Sequence, residues 1–119
     1  PRSNTPNAAL ALLNDPTFVE AARAFATRII KDKTGTPEER VQFAWRAVLS
    51  REAKADEVAL LVALFKESAK EYADHPEQAK KLLQVGLAPA DASLDPLELA
   101  SWTIVSRAIL NLGETTIRN

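Results

Sequence analysis

Few side chains in this sequence have the type and spacing that catalysis or metal binding requires. The chain contains one histidine, His75, and no cysteine. A catalytic triad needs a nucleophile beside its histidine, and a zinc site needs several ligands. His75 directly precedes Pro76, where the helical pattern breaks. We therefore interpret His75 as a surface residue at a helix end, and we predict no catalytic, cofactor-binding or metal-binding residue in the chain.

Four polar residues are candidates for contacts with a ligand or with another domain. Arg46 and Arg51 flank the predicted end of the third helix, where a guanidinium could bind a carboxylate. An ion pair with an acidic residue at a helix start is the favoured interpretation of both. Asn14 and Asn111 lie beside predicted helix ends, where asparagine commonly bonds the local backbone. We interpret both asparagines as structural, and also as the first polar groups to inspect at a cleft.

The acidic residues stand mostly at predicted helix starts, where capping and the helix dipole favour negative charge. They are Asp15, Glu38, Glu39, Asp56, Glu57, Glu77, Asp95 and Glu98. A glycosidase-type pair of carboxylates is conceivable, but no pair is distinguished by its spacing. We therefore predict that these carboxylates stabilise helices.

The composition predicts one all-α domain spanning residues 1–119. The chain is 46% apolar and has only three glycines, while alanine and leucine, the strongest helix formers, are abundant. Its net charge of −1 offers no surface for nucleic acid, which disfavours a helix-turn-helix DNA-binding function. No apolar run reaches the roughly 20 residues of a membrane span. The absence of cysteine and methionine also excludes covalent attachment of haem c and its ligation by methionine within this chain.

Proline, capping residues and glycine divide the chain into six predicted helices. They cover about residues 6–13, 16–31, 37–49, 55–73, 76–84 and 96–112. Thr36 and Asp95 each begin a capping-box pattern, and Gly113 is predicted to end the last helix. Because that last helix is apolar on more than one side, we expect the others to pack around it. The predicted fold is a compact, mostly orthogonal bundle of about six helices with the C-terminal helix central.

Three blocks of sequence carry a resemblance to a known family. The first block, residues 3–23, contains Asn4-Thr5-Pro6, Leu12-Leu13-Asn14-Asp15-Pro16 and Glu20-Ala21-Ala22, and the middle block is residues 44–57. The final block contains Val85-Gly86, Pro89, Asp91, Leu94-Asp95-Pro96, Glu98-Leu99-Ala100, Trp102-Thr103 and Leu110-Asn111-Leu112. Together they resemble the C-terminal part of the planctomycete-type secreted domain of unknown function that accompanies cytochrome-c-like domains.

The resemblance implies a piece excised from a longer protein that is periplasmic or extracellular. It carries no catalytic residue over to this chain, and any haem c would lie elsewhere in the parent protein. The leading hypothesis is a non-catalytic structural or interaction module whose partners are other domains of the parent chain, or a second copy in a homodimer. The alternative is half of an active site that the missing N-terminal region completes, in a redox or polysaccharide-degrading system.

Overall fold

The computed structural model describes residues 15–118, and in this part of the chain every regular element is a helix. The helices are α1 (Pro16–Asp32), α2 (Pro37–Leu49), α3 (Ala55–Asp74), α4 (Pro76–Leu83) and α5 (Pro96–Arg118). They correspond to the last five of the six predicted helices. The first predicted helix, about residues 6–13, lies outside the described residues. The all-α prediction is therefore confirmed for the described part.

Side-chain caps set the helix starts that the sequence predicts. The Asp15 carboxylate accepts from the backbone N–H of Thr17 at 2.8 Å and caps α1. Before α2, Thr36 Oγ1 accepts from the N–H of Glu39 at 3.2 Å, and Glu39 Oε1 accepts from the N–H of Thr36 at 2.9 Å. These paired bonds are the predicted capping box, and they satisfy two N–H groups that the helix leaves free.

The C-terminal helix α5 lies at the centre of the bundle, as predicted. The other four helices all pack against it. Its fully buried side chains include Leu99, Trp102, Val105 and Ile109, and the ring of Trp102 stacks on Phe65 of α3 with 4.4 Å between centroids. A helix that is apolar on several sides must be covered on several sides, which accounts for this position. The mostly orthogonal arrangement of the helices stays a prediction.

One guanidinium joins the end of α1 to the start of α5. Arg40 of α2 donates from Nε to the carbonyl of Lys33 at 2.8 Å and from Nη2 to the carbonyl of Ile30 at 3.3 Å. Its Nη1 lies 3.4 Å from Glu98 Oε2 in the first turn of α5. The carbonyls at the end of a helix lack intrahelical partners. Arg40 therefore supplies hydrogen-bond donors to carbonyls at the end of α1, and it links three helices.

The predicted end of the last helix at Gly113 is wrong. Helix α5 continues through Gly113 to Arg118, and Gly113 is buried. A Cβ atom at this position would lie 2.5 Å from Cγ1 of Val48 at the end of α2. The glycine therefore permits close packing of α2 against α5, and it does not mark a helix end.

Candidate functional site

The most buried charged side chain in the described part belongs to Arg23, on the inner face of α1. Arg23 is 4% exposed. Its Nη1 donates to the carbonyls of Leu83 and Val85, at 2.8 Å each, and its Nη2 donates to the carbonyl of Ala88. These carbonyls lie at the end of α4 and in the loop that follows it, residues 84–95. A buried cation is stable only when its donors are satisfied, and here backbone carbonyls satisfy them.

Glu20, one turn before Arg23, binds the same loop through its N–H groups. Its two carboxylate oxygens accept from the N–H of Leu87 at 3.1 Å and of Ala88 at 2.7 Å. Between α4 and these amides stands Gly86, with a φ of +93°. A Cβ on Gly86 would lie 2.5 Å from Glu20 Oε1, so both the backbone angle and the close carboxylate require glycine.

A third contact ties the far end of the 84–95 loop to the last turn of α1. The Lys31 ammonium forms an ion pair with Asp91, and Asp91 Oδ1 also accepts from the N–H of Ser93 at 2.8 Å. Glu20 and Arg23 thus contact the segment from Leu83 to Ala88, and Lys31 contacts the loop farther on, at Asp91. The loop is therefore held against α1 at two places, near Glu20 and Arg23 and again at Lys31.

The hydrogen bonds to the loop change the acidity of the two carboxyl groups involved. The N–H groups of Ala88 and Leu87 lower the pKa of Glu20 below its usual range. The Lys31 ammonium, followed by the hydroxyl and N–H of Ser93, holds the pKa of Asp91 well below its usual range. Both groups are therefore ionised near neutral pH, which suits acceptors of hydrogen bonds and does not suit a general acid.

The predicted candidates Arg46 and Arg51 lie near each other but bind different acids. Arg46 is exposed, and its Nη2 lies 3.4 Å from Glu52 Oε1. Arg51 donates to both carboxylate oxygens of Glu57, in the first turn of α3, at 3.1 and 3.2 Å. The guanidinium of Arg51 also lies over the Trp45 ring, 5.1 Å from its centroid.

The ion pair between Arg51 and Glu57 shifts the pKa of both side chains. The hydrogen bonds with Glu57 raise the pKa of Arg51, and the same bonds lower the pKa of Glu57. The N–H of Lys54 donates to Glu57 at 2.8 Å, so this carboxylate both caps α3 and binds Arg51. In this arrangement Arg51 stabilises the connection between α2 and α3.

The two predicted asparagines do not meet in a described site. Asn14 lies outside the described residues. Asn111 is half-buried on α5, where it lines a groove of about 450 Å³ between α3 and α5. The lining residues of this α3–α5 groove are Leu60, Leu61, Leu64, Glu67, Ala108, Asn111 and Leu112. Asn111 is thus a polar residue at an apolar groove, far along the chain from Arg46 and Arg51.

The single histidine is exposed, as expected for a surface residue. His75 ends α3, where its N–H donates to the carbonyl of Glu71 at 2.9 Å. Its ring lies 3.7 Å from Glu77 and 4.0 Å from Glu71. Within residues 15–118, no three His, Cys, Asp or Glu side chains are grouped closely enough to hold a metal ion. No helix in that range is long and apolar enough to cross a membrane.

Sequence reasoning missed the residues that bind the 84–95 loop. Glu20 and Arg23 stand three residues apart, so they project from one side of α1. An arginine inside the apolar stripe of a helix is a signal that the sequence offers, because such a side chain needs buried acceptors. Which carbonyls it binds depends on residues 60 to 65 positions away, and this no local pattern reveals.

The fold and its contacts define a helical domain in which the most buried charged side chain of the described part, that of Arg23, binds backbone carbonyls of the same domain. Comparison with known families is consistent with such a domain of unassigned activity. The sequence model of PSD1, described as a protein of unknown function (DUF1553), matches residues 1–65. This is more than half of the chain, and the chain therefore belongs to that family.

The matched range contains the first and middle blocks of the resemblance. The final block, which starts after residue 82, lies outside it, and its resemblance stays a prediction. No curated protein and no solved structure matched the chain.

Proposed function

We propose that this domain is a non-catalytic structural or interaction module of a larger exported bacterial protein of the planctomycete type, located in the periplasm or outside the cell. Its partners are then other domains of the same parent chain, and a haem c, where the parent carries one, is held outside this domain. Membership in a family of unknown function and the resemblance of the three sequence blocks support this proposal.

The observation that supports this proposal most is that charged side chains of the described part bind groups of the domain's own fold. Arg23 and Glu20 bind backbone groups of the 84–95 loop, and Arg40 binds backbone groups at the end of α1. Arg51 forms a two-bond ion pair with Glu57. A catalytic site commonly pushes the pKa of an acid or base toward the working pH. In the described part, hydrogen bonds that hold the fold lower the pKa of Glu20, Glu57 and Asp91 instead.

The first test is a visible absorption spectrum of the intact parent protein, oxidised and reduced, after purification from its native host. A c-type haem spectrum supports a module within a redox protein. Without a haem signal, the redox form of the active-site alternative is abandoned, and the parent is next tested for turnover of extracellular polysaccharides.

The second test separates a module from half of an active site. In a parent preparation with measurable turnover, we would replace Arg46, Arg51 and Asn111 singly by alanine, with the exposed Lys66→Ala as the matched control. A module leaves turnover at the level of the control. A loss of about a hundredfold or more, with an unchanged circular dichroism spectrum and melting temperature, would establish the active-site alternative.

A further inference from the structure

The large apolar side chains that are exposed in the described part form two separate surfaces. Leu60 and Leu112 are 73% and 41% exposed, and both line the α3–α5 groove. Leu87 is fully exposed on the 84–95 loop. One surface is a recess and the other is a single protruding side chain, so their shapes are complementary. Exposed apolar surface commonly marks a contact site.

The backbone of Leu87 is fixed, although its side chain is fully exposed. The N–H of Leu87 donates to Glu20 at 3.1 Å. The next residue, Ala88, is bound through its N–H to Glu20 and through its carbonyl to the buried Arg23. A side chain on a fixed backbone loses little conformational freedom when it binds a partner, which favours a contact at Leu87.

The two surfaces carry opposite charges. Among the described residues that line the α3–α5 groove, Glu67 is the one charged residue. Leu87 lines a depression of about 420 Å³ beside the end of α4, and the one charged residue among the described residues there is Lys80. Both charged side chains are exposed, and no ion pair between described residues includes either of them. Their charges are therefore complementary and available for a contact.

The loop and the groove of one chain lie too far apart to meet. The depression that Leu87 lines includes Pro96, the first residue of α5, whereas the groove includes Leu112 of the same helix. At a rise of about 1.5 Å per residue, the step from Pro96 to Leu112 corresponds to about 24 Å of helix. Because the loop is bound to α1, Leu87 stays near the start of α5, and the complementary groove that it can enter belongs to another molecule.

We infer that the α3–α5 groove binds Leu87 of a second copy of this chain, with Lys80 of that copy facing Glu67. The recess and the protruding side chain then cover each other, and the two opposite charges meet. The contact is head-to-tail, because it joins different surfaces of the two copies. One leucine and its surroundings bury less than the roughly 1,200 Å² of a stable interface. We therefore expect weak self-association, with a dissociation constant of about 0.1–1 mM.

Sedimentation equilibrium of the 119-residue chain would measure this association. Leu87→Ser and Leu60→Ser should each weaken it about tenfold or more, because each removes a leucine side chain from the apolar contact. Both positions are exposed, so the circular dichroism spectrum and the melting temperature should stay unchanged. The matched control is Arg46→Ser, which is exposed and lies on neither surface, and it should associate like the natural chain.

Mixing the two variants separates this contact from other modes of association. Leu60→Ser keeps the exposed Leu87, and Leu87→Ser keeps the intact groove, so one of each can still form the contact. The amide NMR signals of the 84–95 loop in isotope-labelled Leu60→Ser should shift during titration with unlabelled Leu87→Ser. They should shift much less with unlabelled Leu60→Ser, in which the groove is altered.

Charge reversal tests the second half of the contact in the same titration. Lys80→Glu in the labelled chain should weaken binding about two- to fivefold. Glu67→Lys in the unlabelled chain should restore the binding, because the two charges are then opposite again. Failure of this restoration would overturn the pairing of Lys80 with Glu67.

Three results would overturn the contact itself. The first is a natural chain that stays monomeric up to about 2 mM, well above the expected dissociation constant. The second is a Leu87→Ser variant that associates as strongly as the natural chain, because the groove would then bind a different surface. The third is a mixed titration in which the loop signals do not shift.

Discussion

Replacement of Arg23 by methionine should destabilise the domain more than replacement of any exposed arginine. Methionine keeps an unbranched apolar stem in the buried position but removes all three donated hydrogen bonds. The bond to Leu83 is buried, and its loss leaves a carbonyl without a partner, at a cost of about 1–3 kcal/mol. The other two acceptors are partly accessible to water and add about 0.5–1 kcal/mol each. The expected loss is about 2–5 kcal/mol of the free energy of unfolding.

Urea denaturation followed by circular dichroism would measure this loss. Arg46→Met is the matched control, because Arg46 is exposed and makes one ion pair at 3.4 Å, so its change should stay within about 0.5 kcal/mol. Arg23→Lys should fall between Arg23→Met and the natural chain, since one ammonium cannot reproduce the forked geometry of a guanidinium. If Arg23→Met unfolds within about 0.5 kcal/mol of the natural chain, the loop does not depend on these bonds and the reasoning fails.

Three further changes probe the packing and the loop contacts. Gly113→Ala should cost about 1–3 kcal/mol, because the new methyl meets Val48 and overpacking outweighs the gain in helix propensity; a more stable variant in urea would show that the helices can separate. Trp102→Ala should cost about 3–5 kcal/mol, read from the melting temperature, and a loss below about 1 kcal/mol would contradict its central position. Acid should destabilise the domain: the pKa of Asp91 is lowered in the folded state, so its stabilising contribution is complete above the unfolded pKa of about 4 and is lost as the pH falls below it. Asp91→Asn should therefore reduce the slope of the urea midpoint against pH in this range. An unchanged slope would show that the ion pair between Asp91 and Lys31 does not contribute to the pH dependence of stability.

Local signals in the sequence determined the positions of the described helices. Pro16, Pro37, Pro76 and Pro96 each stand at the first position of a helix, and Asp15 and Thr36 cap two of them. These signals are reliable because capping and the missing proline N–H act within one helical turn. The apolar faces of the last helix also predicted its central position, since a helix with apolar residues on several sides is stable only when it is buried on those sides.

Tertiary structure alone decided what Arg23, Glu20 and Gly113 do. Gly113 reads as a helix end in the sequence, but the approach of Val48 from another helix determines its role. Arg23 and Glu20 read as part of an amphipathic pattern, but their partners lie at the end of α4 and in the following loop, 60 or more positions away. The physical reason is range: caps and periodicity act between neighbours in the chain, whereas buried polar groups and close helix contacts depend on which distant segments the fold brings together.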